Sequence, residues 1–130
     1  MNIIEIIKNN DGAIVGKGAT EKDIIEAEKE LGLTFSKEYR DYLQAFGSAL
    51  MNSHFLTGIS KAAQMNVVFV TQRERKFNED IPNNFYVIEN TGLDGIVVWQ
   101  DENGIIYSSS DNGIKEICDS LVEYLNKYSA

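Results

Sequence analysis

His54 is the only histidine of the chain and Cys118 the only cysteine, and this sets a ceiling on the chemistry available. A zinc centre takes roughly three or four N, S or O ligands. With one imidazole and one thiol it would have to be built mainly from carboxylates, and no carboxylate spacing of that kind occurs. Cys118 falls on an apolar stripe with Ile114, Ile117, Leu121 and Leu125, with no base beside it to lower the thiol pKa. It reads as a small buried hydrophobe. His54 lies in no nucleophile-elbow context and reads as a structural or exposed histidine, although a Ser-His-Asp triad assembled in space stays open.

The glycine-rich segment Gly12-Ala-Ile-Val-Gly16-Lys17-Gly18 glances at a phosphate loop. It is one residue short between the glycines and has no Ser or Thr after the lysine, so a turn or edge segment is expected. Asp101-Glu102-Asn103-Gly104 and Asp111-Asn112-Gly113 resemble fragments of calcium loops, but both lack the closing carboxylate and the alternation of acids. They read as turns. No catalytic, metal or cofactor residue is assigned.

The charge is more informative. Asp plus Glu number 20 against 12 Lys plus Arg, for a formal charge of −8 over 130 residues. Residues 1–78 carry ten acids and ten bases, whereas residues 79–130 carry ten acids against only Lys115 and Lys127. This balance argues against a nucleic-acid partner, because phosphate binding is driven by Lys and Arg. Arg73, Arg75 and Lys76 are too small a basic patch to reverse that. The lopsided charge serves solubility, or it steers and docks a basic protein. One cysteine fits a reducing compartment. No apolar run reaches the ~20 residues of a membrane span. The N-terminus has no basic leader, so a cytoplasmic location is expected.

The elements that must position these residues follow from periodicity and caps. Residues 2–9 predict a short helix stopped at Asn9-Asn10-Asp11-Gly12. Thr20 and Asp23 predict a capped helix over 20–31, with Ile24, Ala27 and Leu31 inward and Gly32 as its left-handed stop. Ser36 predicts the next N-cap, with Tyr39, Tyr42, Leu43 and Phe46 on one face and Gly47 as terminator. Residues 54–59 predict a short strand. Residues 61–77 predict a helix capped by Ser60 with Ala62, Met65 and Phe69 inward, against the β-branched run 67–70 that favours a strand. After Pro82, the runs 85–88, 96–99 and 105–107 predict β-strands. Asn103-Gly104 predicts a two-residue turn that pairs Trp99 with Ser108 and places Asp101 opposite Ile106. Residues 113–128 predict a closing amphipathic helix. The whole is a single α+β domain over 1–130, with N-terminal helices on an antiparallel meander and a final helix.

The stretch Leu31-Gly32-Leu33-x-Phe35-Ser36-x-x-Tyr39-x-x-Tyr42-Leu43-x-x-Phe46-Gly47-Ser48 resembles the signature of the SUKH superfamily. That group joins Smi/Knr-type fungal cell-wall regulators with bacterial immunity proteins. The single proline before a Phe-x-Val-Ile strand, the Asp-x-x-Gly hairpin ending in Tyr and the apolar C-terminal segment are similar as well. Ser36 stands where many members have proline. The resemblance implies a SUKH-like α+β fold and an immunity role: an antitoxin without a catalytic centre that binds a cognate polymorphic toxin, often a nuclease. A nuclease site is basic because it holds phosphates, so an acidic surface can occupy it. Asp94, Trp99, Asp101, Glu102 and Asp111 are the expected partner-binding residues, since they cluster at or beside the turns of the meander. A regulatory protein-binding scaffold of the fungal kind is the alternative, and an enzyme with a scattered triad is a third reading.

Overall fold

A computed structural model describes residues 2–128. Local signals build its first half. Helix α1 (Ile3–Lys8) is capped by Asn2 and buries Ile3, Ile6 and Ile7. Helix α2 (Glu21–Leu31) begins with the complete Thr20–Asp23 capping box and ends at Gly32 with φ 68°. Helix α3 (Lys37–Phe46) starts where the Ser36 hydroxyl accepts from the Tyr39 amide and buries Tyr39, Tyr42, Leu43 and Phe46. Ser36 also ties the start of this helix to Tyr86. Its backbone N–H donates to the Tyr86 hydroxyl at 3.0 Å, a bond proline could not make.

The glycine-rich segment forms β1 (Ile14–Val15), the outer strand of a small antiparallel sheet with β2 (Ala49–Met51) and β3 (His54–Leu56). Gly18 of this segment, and Gly58 just after β3, serve close packing. A Cβ on Gly18 would lie 2.3 Å from the Gln44 carbonyl, and one on Gly58 would lie 1.7 Å from the Gly47 carbonyl. Backbone meets backbone there, as at few places a side chain could be spared.

Helix α4 (Val67–Phe77) is a helix despite its β-branched start, but it begins later than expected. Asn66 rather than Ser60 caps it, accepting from the Val68 and Phe69 amides at 3.0 and 3.2 Å. The inward residues are therefore Val67, Val70 and Thr71, while Ala62 and Phe69 are exposed. Ahead of it, Ala63–Met65 make a single 3-10 turn.

The second half is a four-stranded antiparallel meander, β4 (Tyr86–Asn90), β5 (Val97–Gln100), β6 (Ile106–Ser110) and β7 (Gly113–Cys118), in sequence order. Helix α5 (Leu121–Tyr128) closes the described chain. The expected helix over 113–128 is thus half strand: Gly113–Cys118 pair with β6, and the helix starts only at Leu121. Cys118 is buried as expected, but at the end of a strand, where burial pushes its thiol up to about 11.

Both faces of the meander are covered at β4 and β5, whereas Gly113–Glu116 of β7 are exposed. Tyr86, Ile88, Val98, Ile106 and Cys118 pack into the main core with α1, α2, α3 and α5. Val87, Val97 and Trp99 point the other way, onto Val70 of α4, Ile81 and Phe85. Trp99 is completely buried and donates its indole N–H to the Ser109 hydroxyl at 2.8 Å. It was expected at a partner surface; inside a two-faced sheet it has none to offer.

Helix α5 is tied to α3 by one carboxylate. Glu38 accepts from the Leu121 and Val122 amides at 2.7 and 3.1 Å, which places an anion at the helix N-terminus. The same side chain accepts from Gln100 Nε2 at 2.9 Å. Gln100 Oε1 in turn accepts from the Tyr86 hydroxyl at 2.8 Å.

The β5–β6 hairpin differs from expectation by one register step. Trp99 faces Tyr107 and Gln100 faces Ile106. Gly104, at φ 90°, closes a turn back to the Asp101 carbonyl, and the Asp101 N–H then bonds to the Ile105 carbonyl. The loop is therefore a turn followed by a glycine bulge rather than a two-residue turn. Asp101 is buried and organises it, accepting from the Asn103 and Ile105 amides at 2.9 and 3.1 Å and from the Tyr107 hydroxyl at 2.9 Å. This separates two neighbours that the sequence treats alike. Asp101→Ala should destabilise the chain by about 1–3 kcal/mol, because three donors lose their acceptor. Glu102→Ala, at an exposed position, should change stability by less than about 0.5 kcal/mol. Urea unfolding of the two variants measures the difference.

Candidate functional site

Successive turns of a meander fall at alternate ends of the sheet. Asp94, in the β4–β5 turn, and Asp111, in the β6–β7 turn, therefore share one end, and both are exposed. Glu102 is exposed at the opposite end, with the buried Asp101 beside it. The strands between span roughly 13 Å or more. Of the five expected partner-binding residues, the fold brings Asp94 and Asp111 to one end, separates Glu102 from them, and withdraws Asp101 and Trp99 into the interior.

At the Asp111 end the surface is grooved. Phe77, Glu79, Asp80, Ile81, Asp111 and Ile114 line a depression of about 450 Å³, with Gly95 of the Asp94 turn on its edge. Phe77 is 77% exposed and Ile114 40%. Glu79, Asp80 and Asp111 are exposed, and none takes part in an ion pair among the described residues. Unpaired carboxylates around exposed apolar side chains offer a basic, partly apolar partner both attraction and buried area. Phe77, Glu79 and Asp80 were not among the expected residues. The legible signal was an aromatic residue at a basic helix end followed at once by acids and a proline.

A second concavity lies on the other face of the meander. An irregularity between Val87 and Glu89 leaves Ile88 without a partner, so Glu89 pairs with Val98. Regular alternation would send Glu89 to the Val87 side; the bulge turns it to the Val98 side, toward β3 and α5. There Glu89 is buried and accepts from the Tyr124 hydroxyl at 2.5 Å and the Phe55 amide at 2.7 Å. Its Oε1 also lies 2.9 Å from His54 Nδ1. His54, Glu89 and Tyr124 line a cavity of about 460 Å³ together with Val98, Ser108 and Ile117. His54 is buried, and its Nε2 has no hydrogen-bond partner. The histidine is thus structural, as expected, on one of its two nitrogens.

Burial pushes the Glu89 carboxyl up. The hydrogen bonds from His54, Tyr124 and the Phe55 amide, with the neighbouring imidazole, outweigh that and hold it below its ordinary value. The same carboxylate and burial drive the Tyr124 phenol well above its ordinary range. A carboxylate with a lowered folded-state pKa contributes stability above the unfolded value of about 4.3, lost as pH falls through the folded one. Unfolding free energy should therefore fall on acidification below about pH 4.3, and Glu89→Gln should flatten that fall. The variant should also cost about 1–3 kcal/mol at neutral pH by weakening a charge-assisted cluster. Urea melts across pH check both.

Among the described residues no group of three or more His, Cys, Asp or Glu is placed to hold a metal ion, and no helix is long and apolar enough to cross a membrane. A search of curated proteins finds no match. In structure the chain is similar to a protein from Pseudomonas syringae pv. tomato, known from its crystal structure. The two share 13% sequence identity, with a TM-score of 0.80 over 97% of this chain and 95% of that one. At that identity the likeness speaks for the α+β fold. In sequence, residues 1–129 match the SUKH_5 family, described as SMI1-KNR4 cell-wall. With nearly its whole length matched, the chain belongs to the SUKH_5 family of SMI1-KNR4 proteins.

Proposed function

We propose that this chain is an immunity protein: a cytoplasmic antitoxin that binds and neutralises a cognate toxin, a basic nuclease domain, at the acidic groove. One observation carries the reading. Three exposed carboxylates without ion-pair partners, Glu79, Asp80 and Asp111, surround the exposed Phe77 and Ile114. They belong to the part of the chain that holds the entire net charge of −8. A nuclease must bind phosphates and therefore presents a basic site. A groove of this kind meets such a site with a steering field around an apolar contact. Membership of the SUKH_5 family supports a binding role. A regulatory scaffold partner, in keeping with the cell-wall description of the family, would use the same groove without protecting cells from a toxin.

The double variant Asp80→Lys/Asp111→Lys tests the reading. Both positions are exposed, so each change should alter folding stability by less than about 0.5 kcal/mol. Association with a basic toxin domain encoded beside this chain should slow by about tenfold or more at low salt. The salt dependence should flatten, because the steering field has been reduced. Cells producing that toxin should lose protection when the variant replaces the wild type. Unchanged association and protection would exclude the groove as the docking surface.

A further inference from the structure

The two edges of the meander differ in what their backbone groups meet. At β4 the outer side is occupied. The Thr57 N–H donates to the Ile88 carbonyl at 2.9 Å, the Thr57 hydroxyl to the Val87 carbonyl at 2.8 Å, and the Val87 N–H to the Thr71 hydroxyl at 3.0 Å. β7 pairs with β6 alone. Among the described residues, no hydrogen bond outside that ladder reaches Gly113, Ile114, Lys115 or Glu116. Alternate residues of an antiparallel strand turn their N–H and C=O to one neighbour and the rest away, so half of these groups face outward unpaired. All four residues are exposed. The open stretch also has an end, since the irregularity in the ladder leaves Ile117 unpaired and Cys118 beyond it is buried. A straight edge of roughly 13 Å remains.

The two faces of this edge carry opposite charge. Ile114 pairs with Ser109 and Glu116 with Tyr107, which puts both side chains on the Val97 and Trp99 side of the sheet. That is the side of the acidic groove, where Glu79, Asp80 and Asp111 stand beside Ile114. Lys115 pairs with Ser108 and points to the Val98 side. Neither Lys115 nor Glu116 takes part in an ion pair among the described residues.

We infer that β7 accepts an added β-strand from a partner protein, and that this strand carries Lys or Arg at alternate positions. The inference rests on the acidic groove as the docking surface and adds how the partner sits on it. A row of outward N–H and C=O groups is met by another extended backbone; a helix uses its own groups internally. Bases at every second position lie on one face, about 7 Å apart, and fall beside Glu116 and the groove carboxylates. The intervening residues fall beside Lys115 and carry no base. A second copy of this chain fits poorly, because pairing two β7 edges would set two acidic faces side by side.

Backbone hydrogen exchange reads the pairing directly. The probe is a terminally blocked nine-residue peptide in which lysine alternates with valine and threonine. Its control has the same composition with the lysines adjacent. At low salt the alternating peptide should saturate below about 5 mM and slow exchange at alternate amides of residues 113–116 by about tenfold or more. The control should bind about tenfold more weakly. Glu116→Lys should weaken the alternating peptide by about tenfold, whereas Lys115→Glu, an opposite charge change on the other face, should alter its affinity by less than about threefold. Both positions are exposed, and circular dichroism checks that both variants keep the fold. Failure to saturate, equal affinity for the two peptides, or binding without slowed exchange in β7 would each overturn the inference. So would a gain in affinity in Lys115→Glu as large as the loss in Glu116→Lys, which marks a general attraction of charge. Protection of these amides that rises with protein concentration in the absence of peptide would mean that a second copy holds the edge, and would overturn it too. A basic toxin domain neutralised while the β7 amides still exchange freely would overturn the added strand and leave the antitoxin reading standing. A toxin domain that does not bind, while the peptide still protects β7, would overturn the antitoxin reading and support the open edge.

Discussion

A sheet whose strands β4 and β5 are buried on both faces leaves their polar side chains no water to turn to, and most of this structure answers that constraint. Glu89, Gln100, Asp101 and Ser109 all lie inside. Each buried polar group left unsatisfied would cost about 1–3 kcal/mol. Ser109 takes the Trp99 indole, Asp101 takes two loop amides and a phenol, and Gln100 joins Tyr86 to Glu38. Glu89 receives donors from β3 and α5. The apolar faces supply the driving force, while these pairings fix which helix lies against which strand.

The same constraint decides what remains available for function. With Trp99, β4 and β5 covered, the meander presents its turns, the exposed Gly113–Glu116 of its edge strand β7 and the two concavities beside its faces. On the α4 face the chain leaving the helix brings Phe77, Glu79 and Asp80 beside the Asp111 turn. On the other face the bulge at Ile88 turns Glu89 inward and creates a polar end for an otherwise apolar cavity. One irregular residue in one strand therefore sets a buried carboxylate, with its His54 and Tyr124 partners, at the edge of that cavity.

The sequence was most legible where structure is set locally. Thr20 with Asp23, Ser36 and Gly32 act on amides within one turn of themselves, and the helices they bound lie where expected. The β5–β6 turn depended on which of two glycine-containing loop types the flanking strands accept, and the buried Asp101 selected the longer one. Ile114, Ile117 and Cys118 satisfy a helical stripe as well as a short strand. Pairing with β6, which no local signal reports, chose the strand. At α4, Asn66 outcompeted Ser60 as a cap and rotated the inward face away from Phe69. The acidic surface was legible in total but not in place. A cluster of turns in sequence becomes two opposite ends in space once strands alternate direction, and the groove borrows residues from α4 that lie far from Asp111 along the chain.

Native-state hydrogen exchange tests the two-faced burial most directly. Val98 and Trp99 lie in a strand paired on both sides and covered above and below. The account predicts that their amides, and the Trp99 indole N–H, exchange only through global unfolding, with an opening free energy equal to that from urea melts. Amides at Asp94 and Asp111, in exposed turns, should exchange far faster. Exchange of Trp99 through a local opening well below the global free energy would contradict the account, because it would mean that one face of the meander opens and that Trp99 is available to a partner after all.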